Sequence, residues 1–176
     1  DKVKKIIIQE GITGIIDGND GAAGLFYGLY KLEEAEIAGS VKNIGISAFA
    51  GCNELKTVKL GNGVTKIGNH TFADCYNIKS INLPPSVEEI GATAFFCCFG
   101  LESVEIPSSV NTIGKGAFNR CSSLSYVKFS GNNPQLKTIP EKTFRECSAL
   151  SAIVLPPSVK NIEEGAFDKE CYYKSV

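Results

Sequence analysis

The chain contains no methionine and no tryptophan, a single histidine, and no long run of apolar residues. A membrane-spanning helix needs about 20 consecutive apolar residues, so no membrane insertion is predicted within this segment. The 18 basic and 19 acidic side chains leave a formal net charge of −1, which provides no basic field for nucleic acid or anionic lipid. The first residue is Asp1 and no targeting motif follows it, which is typical of a processed protein or an excised fragment.

What the chain does contain is a repeat. A phenylalanine and a cysteine return together, most often 23 residues apart, with one phenylalanine step of 26. A fixed period in this range is typical of a solenoid, in which each repeat covers the hydrophobic face of its neighbour. The members of the two columns are Phe49, Phe72, Phe95, Phe118, Phe144 and Phe167, and Cys52, Cys75, Cys98, Cys121, Cys147 and Cys171.

The whole chain, residues 1–176, is predicted to form one domain, since 176 residues with 43% hydrophobic content can build a substantial core. Residues 1–34 form an irregular N-terminal repeat, in which Ile6 and Ile8 supply a strand and Phe26 takes the phenylalanine position. Residues 35–171 form the regular repeats, and the last of these stops before its strand. We therefore expect an α/β repeat solenoid of about seven rungs of 23 residues, with a parallel sheet on one face.

Each stretch of the repeat has a local interpretation. The alternation in Thr57-Val58-Lys59-Leu60 predicts a short strand with one buried face. Ala-Phe-x-x-Cys predicts a helical turn, because residues three apart share a helix face. The glycines between these two stretches are expected to take a positive φ in a turn; they are Gly45, Gly68, Gly91 and Gly114.

The recurring cysteines are predicted to be free and buried. Stacked rungs bring equivalent residues about 4.8 Å apart, but their Cβ atoms point in parallel rather than towards each other, which disfavours a disulfide. Each thiol then fills apolar space and can donate weakly to a turn carbonyl. A zinc site is not predicted, because four ligands would have to converge on one point. Cys97, beside Cys98, cannot share the inward position.

The segment from Ile106 to Val127 reads Ile-Pro-Ser-Ser-Val-x-x-Ile-Gly-x-x-Ala-Phe-x-x-Cys-x-x-Leu-x-x-Val, and it resembles the leucine-rich repeat of the BspA-like family. The resemblance covers nearly the whole chain, from Val3 to Cys171. It implies a right-handed leucine-rich repeat superhelix from a secreted or cell-surface protein, similar to adhesins of gut and oral bacteria and of some mucosal protozoa. It carries no catalytic residues, so we expect no enzyme activity and no cofactor or metal.

The outward positions of the predicted sheet form the candidate binding site. Because side chains alternate along a strand, two positions of every strand face away from the core. Tyrosine among mixed charges is typical of interaction surfaces, which favours binding to a protein, such as a host matrix or cell-surface protein, or to a glycan. An ordinary solvated face, as on a spacer that projects another domain, is the alternative. The candidate partner-binding residues are Thr57, Lys59, Ser80, Asn82, Ser103, Glu105, Tyr126 and Lys128.

Three further motifs do not predict a functional site. Residues 17–21, Asp-Gly-Asn-Asp-Gly, offer oxygen ligands for calcium but lack the later bidentate glutamate, so an insertion loop is favoured. His70 has no recurring neighbour, and neither a Ser-His-Asp nor a Cys-His site is predicted around it. The tripeptide Asn69-His70-Thr71 is an N-glycosylation sequon, which matters only in a eukaryotic source.

Overall fold

Thirteen short strands, in two columns, run through the part of the chain described by this computed structural model, residues 2–17, 24–131 and 135–167. Each regular repeat contributes one longer strand to the first column and one two-residue strand to the second. The first column consists of β1 (Lys5–Ile8), β3 (Glu34–Ile37), β5 (Thr57–Leu60), β7 (Ser80–Asn82), β9 (Ser103–Ile106) and β11 (Tyr126–Phe129). The second consists of β2 (Gly14–Ile15), β4 (Asn43–Ile44), β6 (Lys66–Ile67), β8 (Glu89–Ile90), β10 (Thr112–Ile113), β12 (Thr138–Ile139) and β13 (Asn161–Ile162).

Every named strand pair is parallel and in register from repeat to repeat. The first column forms two three-stranded ladders, β1-β3-β5 and β7-β9-β11, and β5 lies beside β7. The second column forms a five-stranded ladder from β2 to β10 and a pair, β12-β13. Equivalent residues face one another, as Val104 and Val127 do. The predicted parallel sheet and the N-terminal strand that contains Ile6 and Ile8 are confirmed.

The number of rungs differs from the prediction. The coil makes about five turns with repeats of about 23 residues, and the expectation of seven is wrong. The count of phenylalanines overestimates the turns because the end units do not complete a rung. Residues 151–155 form no strand, and the final short strand, β13, has both residues exposed.

The predicted helical turn is also wrong: the described residues contain no helix, so the fold is a parallel β-solenoid. An α-helix needs N–H donation to the carbonyl four residues back. In the Phe-Cys segment, alternate N–H groups instead donate to the next rung, and the others bond three residues back. The inter-rung bonds of one turn run from Ser47 N to Asn69 O (2.9 Å), Phe49 N to Thr71 O (2.9 Å) and Gly51 N to Ala73 O (2.8 Å).

The glycines before this segment do not take the expected positive φ. The left-handed residues come two positions later, where His70 and Thr93 have φ of 55° and 50°. Glycine is required for another reason, the close approach of successive rungs. A Cβ on Gly91 would lie 2.5 Å from the carbonyl carbon of Gly68, and a Cβ on Gly114 would lie 2.2 Å from the nitrogen of Ala92.

The core consists of stacked columns of identical or similar side chains. Rings of the phenylalanine column stack on one another, with centroids 5.2 Å apart between Phe95 and Phe118. Phe26 joins the stack at 5.0 Å from Phe49, as predicted for the irregular repeat. The recurring cysteines of the described residues are free and buried, which confirms the prediction for this column. Cys171 lies outside the described residues.

Candidate functional site

The open sheet face, defined as the outward side chains of the first strand column, is where the predicted partner-binding residues lie. Strand pairing places Ser80 opposite Ser103, and Asn82 opposite Glu105. Tyr126 continues the first of these rows. Seven of the eight predicted residues are exposed and Ser103 is half-buried. The alternation of the sequence therefore placed these residues on one surface.

The open sheet face extends further towards the N-terminus than the sequence analysis placed it. Lys5 pairs in register with Glu34, and Glu36 pairs with Lys59. The Lys5 ammonium lies 3.2 Å from Glu34 and 3.0 Å from Glu36. The Lys59 ammonium lies 2.7 Å from Glu36 and 3.2 Å from Glu34. The signal was present in the Glu-Ala-Glu-Ile alternation of β3, but the irregular spacing of the N-terminal repeat concealed its register.

A second ion-pair column flanks this end of the sheet. The Glu33 carboxylate accepts hydrogen bonds from the ammonium groups of Lys4 at 2.7 Å and Lys56 at 2.9 Å. These hydrogen bonds lower the pKa of Glu33 to about 2, and the bond from Lys4 has the larger effect. Hydrogen bonds from Lys59 and then Lys5 lower the pKa of Glu36 to about 2. The acids and bases of this end therefore neutralise one another.

The C-terminal end of the open sheet face carries fewer ion pairs, and Val154 lies beyond its last strand, β11. Tyr126 is 58% exposed and Val154 is 84% exposed. A surface groove of about 430 Å³ lies between residues 125–129 and 151–154. At the edge of the groove, the Glu105 carboxylate accepts hydrogen bonds from the Ser130 hydroxyl and, at 2.9 Å, from the Lys128 ammonium. These hydrogen bonds lower the pKa of Glu105. This end offers an aromatic ring, aliphatic surface and one ion pair.

An exposed aromatic pair, which the sequence analysis missed, lies outside the sheet. The rings of Tyr76 and Phe99 stack with centroids 5.2 Å apart, and both are about two-fifths exposed. Each follows a column cysteine directly in sequence, so the 23-residue period would have placed them together. Their stacking resembles that of the buried phenylalanines but faces solvent.

The minor motifs have structural roles where the structure describes them. The Asn69 side-chain oxygen accepts from the Ala92 N–H at 2.8 Å, and Thr71 is fully buried with its hydroxyl on two backbone carbonyls. Both residues of the sequon are therefore engaged in the fold. His70 lies 2.7 Å from the Thr93 hydroxyl through Nδ1. Of the calcium motif only Asp17 is described, and it accepts from the Ile46 N–H.

The described residues hold neither a cluster of metal ligands nor a helix that could span a membrane. No group of three or more His, Cys, Asp or Glu side chains within residues 2–17, 24–131 and 135–167 is placed to hold a metal ion. Over the same residues, no helix has the length and apolar character that crossing a membrane requires.

Solved structures share the fold. A leucine-rich repeat protein from Bacteroides ovatus superimposes with a TM-score of 0.82 at 31% identity, over 94% of this chain and 43% of that one. The T. pallidum leucine-rich repeat protein TpLRR gives a TM-score of 0.80 at 30% identity, over 92% of this chain and 74% of its own length. The chain thus spans less than half of the Bacteroides ovatus protein. The pneumococcal vaccine antigen PcpA, at 21% identity and a TM-score of 0.56 over 95% of this chain and 54% of its own, shares the fold alone.

No curated protein matches the chain in sequence. The sequence profile described as "BspA type Leucine rich repeat region" matches six copies, over residues 22–136 and 65–176. Those ranges include the columns and turns described above. The chain therefore belongs to the BspA type leucine-rich repeat family.

Proposed function

We propose that this chain is a non-catalytic protein-interaction module of a secreted or cell-surface protein, and that its open sheet face adheres to host or microbial proteins. The observation that carries the proposal is the open, in-register sheet with outward side chains from Lys5 to Lys128. A rigid repeat scaffold loses little conformational freedom on binding. An extended face suits a protein surface better than a small molecule, which needs an enclosed pocket.

The charges of the open sheet face indicate which end offers a partner more binding energy. At the N-terminal end, lysines and glutamates already pair with one another at 2.7–3.2 Å, so a partner would have to replace existing contacts. At the C-terminal end, Tyr126 and Val154 expose ring and aliphatic surface beside the groove. Binding energy concentrates on a few buried aromatic residues in most interfaces, and Tyr126 is therefore the proposed anchor.

The similar proteins support a general location for this chain, but they do not support a particular partner. PcpA is named as a pneumococcal vaccine antigen, and the family profile is that of the BspA type. Both support a protein displayed at or released from a cell surface. They name no ligand for this chain, so the partner class is taken from the geometry of the open sheet face.

Retention on immobilised extracellular matrix proteins and on cultured cells tests the proposal. Tyr126→Ala should weaken retention at least about tenfold, as loss of a central aromatic anchor does in other interfaces. Tyr27→Ala is the matched control, because Tyr27 is exposed to a similar extent, 55%, but lies in the turn after Phe26, away from the sheet. Equal losses in the two variants would contradict binding through the open sheet face.

A structural spacer is the second candidate. It is favoured by the small, uncharged side chains in the middle of the open sheet face, where Thr57, Ser80 and Ser103 follow one another. A spacer should show no retention on any of these surfaces, in the unmodified chain as well as in both tyrosine variants. Retention of the unmodified chain that Tyr126→Ala abolishes would exclude the spacer.

A further inference from the structure

The cysteine column has a uniform hydrogen-bond geometry. Five thiols, at successive turns, are fully buried. Each donates to the carbonyl oxygen of the phenylalanine in the preceding rung. The bonds are Cys52 to Phe26 (3.3 Å), Cys75 to Phe49 (3.2 Å), Cys98 to Phe72 (3.2 Å), Cys121 to Phe95 (3.2 Å) and Cys147 to Phe118 (3.1 Å).

This geometry opposes ionisation. A thiolate cannot donate, and it would face a carbonyl lone pair inside an apolar core. Burial raises the pKa of Cys52 to about 12 and raises the pKa of Cys75, Cys98 and Cys121 well above its usual value. The thiolate is the species that attacks disulfides and alkylating reagents. The thiols of the folded column therefore should not react with either kind of reagent.

The same packing leaves no room for an adduct. The cysteine column lies in one hydrophobic core with the phenylalanine column and with Leu101, and both Phe95 and Leu101 are fully buried. Protein interiors pack at crystal density, and even a few added methylene groups force side chains and backbone to move. A cysteine carrying a mixed disulfide could not return to its place between two rungs.

We infer that the cysteine column makes the solenoid a redox-sensitive switch, in which a closed rung keeps its thiol reduced and an opened rung is held open by reaction with a small-molecule disulfide. In the step, the thiol of the opened rung first loses its proton to solvent. The thiolate sulfur then attacks one sulfur of the reagent, and a protein–reagent disulfide forms. The reagent's own S–S bond breaks, and one half leaves as a thiolate that takes up a proton. The protein sulfur is oxidised and the departing half is reduced.

Cys97 provides an internal comparison. It is buried, but it lies outside the core cluster and its backbone is left-handed, with φ of 56°. Burial raises its pKa, while the neighbouring Arg120 opposes that rise. Its reaction must be separated from that of the column, so the experiment uses Cys97→Ser and peptide mass spectrometry that assigns each adduct to a cysteine.

The test is reaction with excess glutathione disulfide at pH 8, in native buffer and in urea. Opening a folded core costs enough free energy that we expect Cys75, Cys98 and Cys121 to react at least about 1,000-fold more slowly in native buffer. Reaction of these three at similar rates in both conditions would overturn the inference.

Two variants link the reaction to opening. Val104→Ala removes buried side-chain atoms from the same rung as Cys98, six residues further along the chain, and it should speed the labelling of Cys98 at least tenfold. Glu102→Gln changes an exposed side chain in the same rung and should leave the rate within about twofold. If Val104→Ala lowers the urea midpoint but does not speed the labelling of Cys98, then the reaction is not coupled to opening of the rung.

The chain that carries glutathione on its column cysteines gives the second test of the inference. Chain labelled in urea and returned to native buffer should lack native strand circular dichroism, and dithiothreitol should restore it. A chain that carries glutathione on Cys98 and still regains the native spectrum and urea midpoint would refute the switch.

Discussion

Removal of one ring from the phenylalanine column should destabilise the solenoid far more than removal of an exposed ring nearby. Phe95 is fully buried, with ring centroids 5.5 Å from Phe72 and 5.2 Å from Phe118. Its carbonyl also accepts the thiol of Cys121. Phe95→Ala therefore removes a large core side chain and two stacking contacts at once.

The magnitude follows from these contacts. Truncation of a buried phenylalanine to alanine costs about 3–5 kcal/mol, depending on how far the site can collapse. Each stacked pair adds about 0.5–1.5 kcal/mol beyond area burial, and rigid rungs on both sides oppose collapse. We expect Phe95→Ala to lower the free energy of unfolding by about 4–5 kcal/mol, at the upper end of that range.

Phe99 is the matched control, because it is the same residue four positions along the chain, 42% exposed and stacked on Tyr76. Phe99→Ala should cost about 1 kcal/mol, the value of one exposed aromatic contact. Urea unfolding followed by circular dichroism and tyrosine fluorescence measures both variants. Equal losses, or a larger loss for Phe99→Ala, would refute the assignment of the phenylalanine column to the core.

Three further changes test other parts of the fold. Ser47→Gly should raise the urea midpoint by relieving a residue that carries a Cβ at φ of 55°, a gain of about 0.5–1 kcal/mol after the entropic cost of glycine; a lower midpoint would show that no strain is stored there. Gly91→Ala should destabilise strongly, since the added Cβ would lie 2.5 Å from backbone carbon, whereas Gly14→Ala, with 3.7 Å of space, should not. Ion pairs depress the pKa of Glu33 and Glu36 from 4.5 to about 2, so their stabilisation is complete above about pH 5 and should be lost as pH falls from 4.5 to 2. Stability measured across that pH range in 1 M salt should change less, because salt screens exposed pairs.

The repeat period accounts for how much could be predicted. Recurrence at 23 residues requires equivalent side chains to stack, which placed the phenylalanines, the cysteines and the strand residues correctly. The alternation of Thr57 to Leu60 put Thr57 and Lys59 on the outer surface for the same reason. The partner-binding role of that surface stays a prediction, because a pattern that displays residues does not identify what binds them.

The Phe-Cys segment shows where sequence reasoning failed. Residues three apart can share a face in a helix or in a chain of turns, so Phe49 and Cys52 could not distinguish the two. The choice depends on where the backbone N–H groups donate, and the neighbouring rung supplies acceptors at 2.8–2.9 Å for alternate residues. No single repeat contains that information, because the acceptors belong to the next one.

The sequence by itself determined that the chain coils in a repeated unit, which residues form the buried columns, and which alternate outward along the longer strands. Hydrophobic periodicity is a local property, and each repeat carries it in full. Only the tertiary structure decided that the turns are not helical, that glycine serves the close approach of rungs, and that Lys5 and Lys59 neutralise the acids of β3. These features arise between rungs, where the spacing of two backbones and the register of distant segments set the geometry.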